Sequence, residues 1–407
     1  MPLSRSSGAR RTTRLARRAA AWSALWLLAL LPAVDVRLGA AERDDGEGSL
    51  YRNLSIFSEV LSLVRRTYVD EPDVGALFAG SLDGITDGLD PLADFVPASG
   101  VAAFRRAQEI GAGRSGVRLA RDRGILYVLA VERGGPGAAA GLARSDIVTA
   151  VDGEDTRGMA LWQIRGRLAG EPGSRLELEL IRRGQARTAS LTLAEWQAPN
   201  TAVEVRDGIP VLRVGRFDEA TVPAVRGRLE ELASSGGREL IVDLRGVAGG
   251  DAASAYAVAA LFAPGELGRL VRRGETLRTF VGESPALWSG RVVVATSRAS
   301  QGAAEILAAV LAQRAGAELV GERTFGHAGR ESVRELSTGD LLVLTDAFYT
   351  GPDGELLDRG REPDVVVREA ERRFAESELP LEDLILERAL ERVRSSGGGA
   401  PRIGAGP

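Results

Sequence analysis

The 407-residue sequence contains no cysteine and no lysine, and its single histidine is His327. The absence of cysteine excludes disulfides, a thiol nucleophile and thiolate ligation of a metal. The absence of lysine means that all 52 basic residues are arginine, which stays protonated and cannot serve as an ordinary general base. Any mechanism that depends on a neutral lysine is therefore excluded.

Aromatic residues are also scarce, at 5 % of the chain, whereas glycine occurs 50 times. This composition indicates many turns and close packing of small residues. The length is sufficient for two or three domains with a sizeable core. The sequence contains no phosphate-binding loop, dinucleotide-binding fingerprint or cluster of metal ligands, so we expect no cofactor and no metal.

Charge is unevenly distributed along the chain. The formal net charge is −4, but residues 1–40 contain seven arginines against one aspartate. Residues 41–407 therefore carry a formal charge of −10. This acidic balance argues against nucleic acid or anionic lipid as the main partner of the folded part.

Residues 1–40 have the pattern of a targeting segment. Six arginines precede the apolar run AAAWSALWLLALLPAV, and small residues near Ala40 offer a cleavage site. The run is short for a membrane span. We expect a cleaved signal peptide, and the alternative is an uncleaved inner-membrane anchor over residues 19–35. Either would export the rest of the chain, and we expect it in a bacterial periplasm, touching the membrane only through this segment.

Helical patterning dominates residues 41–112. A polar linker precedes a stretch with apolar residues at positions 54, 57, 60, 61 and 64, which form the stripe of an amphipathic helix. A second short helix is predicted over 73–86. The following stretch, GLDPLADFVPASG, is interpreted as a turn-rich loop because Gly and Pro interrupt it.

Residues 113–193 change to short strands, SGVRLARD, GILYVLAVE, DIVTAVDG and RLELELIRRG, with two short helices between them. On the evidence of Gly116-Val117, PGAAAG and SDIVTAVDGEDTRGM, the segment resembles a PDZ domain. The resemblance implies a groove that binds peptide or protein C-termini as an added strand, with backbone amides holding the carboxylate. The loop of Ser115, Gly116, Val117, Arg118 and Leu119 would supply those amides and an apolar pocket. The alternative is a groove that is empty or occupied by the chain itself.

Strands and helices alternate over residues 194–375. The predicted strands are IPVLRVGRF, ELIVDLRG, RVVVATS, AELVGERTF and LLVLTDAFYT, with helices over 219–235, 250–263 and 302–315. This alternation predicts a βα-layered domain with a mainly buried sheet. Residues 376–396 have the pattern of an amphipathic C-terminal helix, and we expect residues 397–407 to be disordered.

Several motifs, in order, resemble those of the S41 family of carboxy-terminal processing serine peptidases. They are LDPLADF, the PDZ-like segment, IVDLRGVAGGDAASA, LVGERTFGHAG and YTGPDGELLDRGREPDVVV. The resemblance implies a mixed α/β fold with a ClpP/crotonase-like βα-layered core, a PDZ β-domain and helical segments at both ends. It also implies serine peptidase chemistry, in which a neutral lysine takes the proton of the serine nucleophile.

The residues at the family's catalytic positions differ from the family pattern. Aligned without gaps, SQGAAE places Gly302 at the nucleophile, and FGHA places His327 at the lysine, 25 residues later as in the family. The family's orienting glutamine corresponds to Glu331. The resemblance also implies oxyanion amides near Gly249 and Ala303. We therefore expect no functional catalytic residue.

One alternative retains catalysis. Ser300 and His327 could act as a relocated serine–histidine pair, because such pairs work on many folds. Against this, Ser300 precedes the helix, and a misplacement of about 1 Å can cost a hundredfold in rate.

The sequence therefore predicts an exported S41 homologue without activity. It would bind C-terminal tails through the PDZ domain and would act as an adaptor or regulator of proteolysis. An active peptidase relative or a second copy of the chain are its candidate partners. The other readings are a weak serine peptidase and a structural envelope component that binds no peptide.

Overall fold

The computed structural model describes residues 46–111, 113–368 and 383–395. The predicted targeting segment over 1–40, the first part of the predicted C-terminal helix and the tail over 397–407 lie outside the described residues. Within the described ranges, no helix combines the length and the apolarity that a membrane span requires.

Residues up to 77 form a separate unit that consists of helix α1 and the start of helix α2. Helix α1 spans Gly46–Thr67 and helix α2 spans Val74–Asp87. The apolar stripe predicted for α1 is present, and Leu54, Phe57 and Val60 on it are exposed. The helix predicted for this stretch is therefore present.

The predicted turn-rich loop after α2 contains a strand, which is a correction. Strand β1, Asp94–Val96, is buried along its whole length and pairs antiparallel with residues 341–343. A short helix, α3 (Val101–Ile110), follows it. The sequence did not predict this strand, because glycine and proline residues lie around it. Its conformation is determined by pairing with residues 341–343 rather than by local pattern.

The PDZ segment forms one antiparallel sheet with helices packed on it. Strand order is β2-β3-β4-β6-β7, with β5 beside β4, so β2 is an edge strand. Alternating residues such as Leu176, Leu178 and Leu180 turn inward to a common core. The elements are β2 (Val117–Asp122), β3 (Ile125–Val131), α4 (Pro136–Ala139), β4 (Ile147–Val151), β5 (Glu154–Asp155), α5 (Leu161–Leu168), β6 (Arg175–Arg182) and β7 (Gln185–Thr192).

The remaining elements alternate as predicted, with additional antiparallel strands. In chain order they are β8 (Thr201–Arg206), β9 (Ile209–Val214), α6 (Thr221–Ser234), β10 (Glu239–Asp243), α7 (Ala252–Ala259), β11 (Gly265–Arg272), β12 (Glu275–Gly282), β13 (Arg291–Thr296), α8 (Ala303–Arg314), β14 (Glu318–Gly321), β15 (Gly329–Glu335), β16 (Leu341–Tyr349), β17 (Val365–Val366) and α9 (Leu384–Ser395).

The central sheet has the order β17-β14-β13-β10-β9-β8, and all its neighbouring pairs are parallel except β8 with β9. Helices α6, α7 and α8 share one apolar core with one face of the sheet, and α9 packs on the other. Burial on both faces explains the nearly continuous apolar runs in β10 and β13. A second sheet, with order β1-β16-β11-β12 and β15 beside β16, completes the domain. The predicted mixed α/β fold is confirmed.

A buried ion pair joins the carboxyl end of β10 to the C-terminal helix. Arg245 donates to the fully buried Asp243 carboxylate from Nε at 2.8 Å and Nη2 at 2.9 Å. The Arg245 Nη2 also donates to Asp383 Oδ2 at 3.0 Å, and Asp383 immediately precedes α9. Burial raises the pKa of Asp243, but its bonds to Arg245 and the charges of Arg133 and Arg213 hold that pKa below the usual range. Asp243 and Arg245 thus form a buried structural ion pair.

Replacing Asp243 tests the contribution of this ion pair to stability. Asp243→Ala leaves a buried guanidinium without its main partner, so we expect the free energy of unfolding to fall by about 3–5 kcal/mol. Urea denaturation of both proteins measures the difference. Glu231→Ala, which removes an exposed pair with Arg228 on α6, is the control and should cost less than about 0.5 kcal/mol. Equal losses in the two variants would contradict the role given to Asp243.

Candidate functional site

The predicted nucleophile position lies at the start of helix α8. Gly302 is the residue before its first turn and has φ +65° and ψ −113°. A Cβ on Gly302 would lie 3.4 Å from the Cα of Gly249, so the surrounding backbone leaves room for a small side chain. The turn that would present a serine is therefore present without the serine, although this φ itself favours glycine.

Glu305, in the first turn of α8, connects this turn to the loop that carries His327. One carboxylate oxygen accepts from Thr324 Oγ1 at 2.6 Å and from the Gly326 amide at 2.7 Å. The other accepts from the amides of His327 at 2.9 Å and Gly302 at 3.1 Å. Burial raises the pKa of Glu305, and the four donors oppose that shift. A single carboxylate thus aligns the two predicted catalytic positions.

His327 is buried, and its ring nitrogen lies near Thr345 and Asp90. Its Nε2 lies 3.0 Å from Thr345 Oγ1 and 3.8 Å from Asp90 Oδ1. Burial lowers the pKa of His327, and the nearby charges of Asp90 and Glu331 only partly offset this. The ring is therefore neutral at physiological pH and is held by neighbours from β16 and the loop before β1.

The alternative nucleophile, Ser300, is fully buried. Its Oγ donates to the Leu244 carbonyl at 3.0 Å and accepts from the Ser297 amide at 3.0 Å. Within the described ranges no hydrogen bond joins Ser300 to His327. The structure therefore does not bring the relocated pair together, and the Ser300 hydroxyl stabilises the loop that precedes α8.

The predicted oxyanion amides differ in their availability. The Gly249 N–H already donates to the Gln301 carbonyl at 3.2 Å, within a short parallel bridge between the two loops. Ala303 is buried in the first turn of α8, where helix N–H groups have no partner within the helix. In this conformation Gly249 cannot donate to a ligand without breaking its bond to Gln301.

Glu331, at the position of the orienting glutamine, is exposed on β15. It interacts electrostatically with His327 and with Arg118 of the PDZ strand β2. Arg118 reaches the centre itself, since its Nη1 lies 3.4 Å from the position a Cβ on Gly249 would occupy. The sequence placed Arg118 only in the PDZ loop, so its proximity to Gly249 is an addition from the structure.

The predicted carboxylate loop of the PDZ domain is tightly hydrogen-bonded. The Ser115 hydroxyl accepts from the Val117 amide at 3.2 Å, and the Ser115 carbonyl accepts from Gly137 at 2.7 Å. Gly116 has φ +64° and lies against Gly135. Val117 and Leu119, in the part of the loop that continues into β2, are buried in the PDZ core.

The loop before β1 lies along part of the outer edge of β2. There the Arg121 amide donates to the Pro91 carbonyl at 3.4 Å. Leu92 of the same loop packs with Ala120 of β2. Within the PDZ core, apolar side chains that include Val117 of β2 and Ile164 of α5 enclose a cavity of about 10 Å³, which is too small for a peptide side chain. Along this part of β2, a segment of the same chain therefore stands where a peptide strand would add.

Asp94 is a buried carboxyl group beside this loop. Burial raises its pKa to about 7, while Arg165 lowers it, Asp83 raises it and Arg121 lowers it. Its Oδ2 has no hydrogen-bond partner among the described residues. A charged Asp94 is therefore disfavoured where the β1 segment meets the PDZ helix α5.

Asp90, Glu305 and Asp94 were not predicted to hold the site together. Asp90 caps a turn by accepting from the amides of Leu92 and Ala93. Its additional proximity to His327 comes from tertiary folding. The first-turn position of Glu305 was a visible signal, but its three partners beyond α8 were not.

Glu305→Gln tests the connection between the two catalytic positions. The amide would direct an N–H group toward neighbours that are all donors, so we expect the free energy of unfolding to fall by about 3 kcal/mol. Urea denaturation provides the measurement. Glu335→Gln, which weakens an exposed pair with Arg105, is the control and should change little. A loss below about 0.5 kcal/mol for Glu305→Gln would contradict the role given to the four hydrogen bonds of Glu305.

Asp94→Asn tests the buried carboxyl group through pH. Because the folded-state pKa is raised, the native state retains the proton between about pH 4 and pH 7, and wild-type stability falls as pH rises through that window. Asn cannot ionise, so we expect the variant to gain about 4 kcal/mol of stability relative to wild type between pH 4 and pH 8. Thermal unfolding at both pH values measures this. Exposed Asp122→Asn is the control, and an identical pH profile for wild type and Asp94→Asn would refute the assignment.

Comparison with known families agrees with this architecture. The family model for Peptidase family S41 matches residues 208–367, and that for the PDZ domain matches residues 127–182. Among solved structures, the chain is similar to photosystem II D1 C-terminal processing protease, with 26 % identity, a TM-score of 0.63 and coverage of 83 % of this chain and 96 % of the other.

Two relatives by sequence carry the same description. A carboxy-terminal-processing protease of Bartonella bacilliformis is 25 % identical over 80 % of this chain and 77 % of its own length. A carboxyl-terminal-processing protease of Synechocystis sp. is 30 % identical over 63 % of this chain, and the match spans only 62 % of that protein. The chain thus contains a peptidase family S41 domain over residues 208–367 and a PDZ domain over residues 127–182, and it is similar to carboxy-terminal processing proteases.

Proposed function

We propose that the chain is a catalytically inactive S41 homologue that binds C-terminal peptide tails through its PDZ domain and acts as an adaptor or regulator of proteolysis. The observation that carries the proposal is Gly302, which stands without a hydroxyl group where the family's alignment puts the nucleophile. No lysine exists anywhere in the 407 residues to act as the base.

The kinetic consequence of these replacements is large. Removing the nucleophile of a serine hydrolase costs about 10⁶-fold in kcat, and removing the base as well adds little because the groups act as a unit. Ser300 does not replace the nucleophile, because its hydroxyl donates to the Leu244 carbonyl. His327 is neutral but contacts Thr345 rather than an alcohol positioned for attack. The site retains a shape that can bind and lacks a group that can form an acyl intermediate.

Peptide binding in this proposal requires the groove beside β2 to open. The loop whose Pro91 carbonyl accepts a hydrogen bond from the Arg121 amide occupies part of the edge where a peptide strand would add. One long N–H···O contact at 3.4 Å is weak, so a peptide that makes several such bonds can displace it. Ligand binding is therefore coupled to movement of the loop before β1.

The biological setting is part of the same proposal. An exported protein of this kind would meet C-terminal tails in the bacterial periplasm, after cleavage of the targeting segment or while anchored by it. It would deliver those tails to an active relative, or would restrain that relative by forming a mixed oligomer. Co-purification of the chain with an S41 peptidase from the periplasm would support this setting.

Cleavage of an unfolded substrate with an apolar C-terminal tail tests the inactivity. We expect wild type to release no peptide detectable by mass spectrometry. The variant Gly302→Ser/His327→Lys/Glu331→Gln restores the family's residue types and should gain activity, because a Cβ fits at Gly302. The positive φ of Gly302 costs about 1–3 kcal/mol with serine, which a stable scaffold can tolerate.

Ser300→Ala is the matched control for a relocated nucleophile. If wild type cleaves the substrate and Ser300→Ala does not, the protein is an active, rewired peptidase and the proposed inactivity is wrong. Labelling by a serine-directed phosphonate that disappears in Ser300→Ala would lead to the same conclusion. Binding of a tail peptide without cleavage supports the proposal.

A further inference from the structure

Arg118 connects the PDZ strand β2 to the centre of the peptidase domain. Its neighbours Val117 and Leu119 are buried in the PDZ core, whereas the Arg118 side chain lies on the other side of the strand. There its Nη1 and Cζ lie 3.4 Å and 3.7 Å from the position of a Cβ on Gly249. Gly249 in turn faces Gly302. A guanidinium group therefore lies beside the two glycines of the former catalytic centre.

The Arg118 guanidinium has no hydrogen bond or ion pair with any other residue that the structure describes. The charges that act on it are those of Glu132 and Glu331, which favour its charged form, and of Arg165, which opposes it. Burial lowers the pKa of Arg118, yet arginine stays protonated in proteins. A partly buried cation with unused donors is costly unless an anion completes its hydrogen bonds.

We propose that the Arg118 guanidinium forms a carboxylate-binding site beside Gly249 and Gly302, at the former catalytic centre, and takes the terminal carboxylate of a bound peptide. The inference rests on the proposed peptide-binding function and adds where the end of the peptide is held. It gives this centre a binding role that does not need a nucleophile.

The chemistry of the site favours a carboxylate. The planar guanidinium presents parallel N–H donors that match the two oxygens of a carboxylate. Glu132 and Glu331 lie in the field of Arg118, so a group with two negative charges meets more repulsion than a carboxylate with one. Glycine at 249 and 302 keeps side chains away from the space next to the guanidinium, so the end of a backbone can approach it.

The test compares a short fluorescein-labelled peptide with apolar last residues as the free acid and as the C-terminal amide. Fluorescence anisotropy with the full chain measures both affinities. We expect the acid to bind at least about tenfold more tightly than the amide, since a charge-assisted pair contributes about 1.4 kcal/mol or more. Arg118→Gln should reduce that ratio to about one.

Arg123→Gln is the matched control because Arg123 lies on the β2–β3 turn with its side chain 93 % exposed. It should leave the acid-to-amide ratio unchanged. If Arg118→Gln also leaves the ratio unchanged, the inference is overturned while the proposed peptide binding stands. If wild type binds neither peptide, the proposed function fails. An amidated peptide ending in Asp that binds as tightly as the acid would contradict a site for the terminal carboxylate.

A second experiment probes the site without peptide. Gly302→Asp brings a carboxylate toward Arg118, and Gly302→Asn has the same shape without the charge. We expect the Asp variant to melt at a higher temperature than the Asn variant, and this difference should vanish in the Arg118→Gln background. An equal difference in both backgrounds would show that Arg118 does not receive the carboxylate.

Discussion

The buried carboxylate of Glu305 makes the interactions on which the relative placement of Gly302 and His327 depends. It binds the turn before α8 to the loop after β14, and these two segments carry the positions of nucleophile and base. A charge at this depth persists only with a complete set of donors, and Glu305 has four. Because three of the donors are backbone amides, the arrangement is independent of which side chains occupy Gly302 and His327. These backbone hydrogen bonds to Glu305 can therefore form whether or not the side chains at the two positions are catalytic.

Around this carboxylate, residues at and near the family's catalytic positions make contacts within the fold. His327 packs between Thr345 and Asp90, Ser300 stabilises its own loop, and Arg118 fills the region beside Gly249. The same PDZ strand meets its own loop at Pro91. These contacts link the PDZ domain to the peptidase domain through the residues that a peptide would have to engage. Peptide binding and movement of these loops would therefore both change the contacts between the PDZ domain and the peptidase domain.

The sequence predicted those features that depend on local pattern. The apolar runs of β9, β10 and β13 and the helices beside them were identified because strands buried on both faces leave a continuous signal. The hairpin of β11 and β12 was missed, because Gly268 and several arginines interrupt its alternation. The positions Gly302 and His327 came from motif spacing. The contact of Arg118 with Gly249 and the surroundings of Asp94 depend on how domains pack, which no local pattern records.

The backbone at Gly302 also bears on the history of the chain. A serine at φ +65° is under strain, and an enzyme tolerates that strain because catalysis depends on the residue. Glycine avoids this strain, so at this φ it is expected to stabilise the fold by about 1 kcal/mol or more relative to serine. Under the proposed function, a change back to serine would cost stability and yield no activity unless a base also appeared. A substitution of serine by glycine at this position would therefore be easy to make and hard to reverse by single mutations.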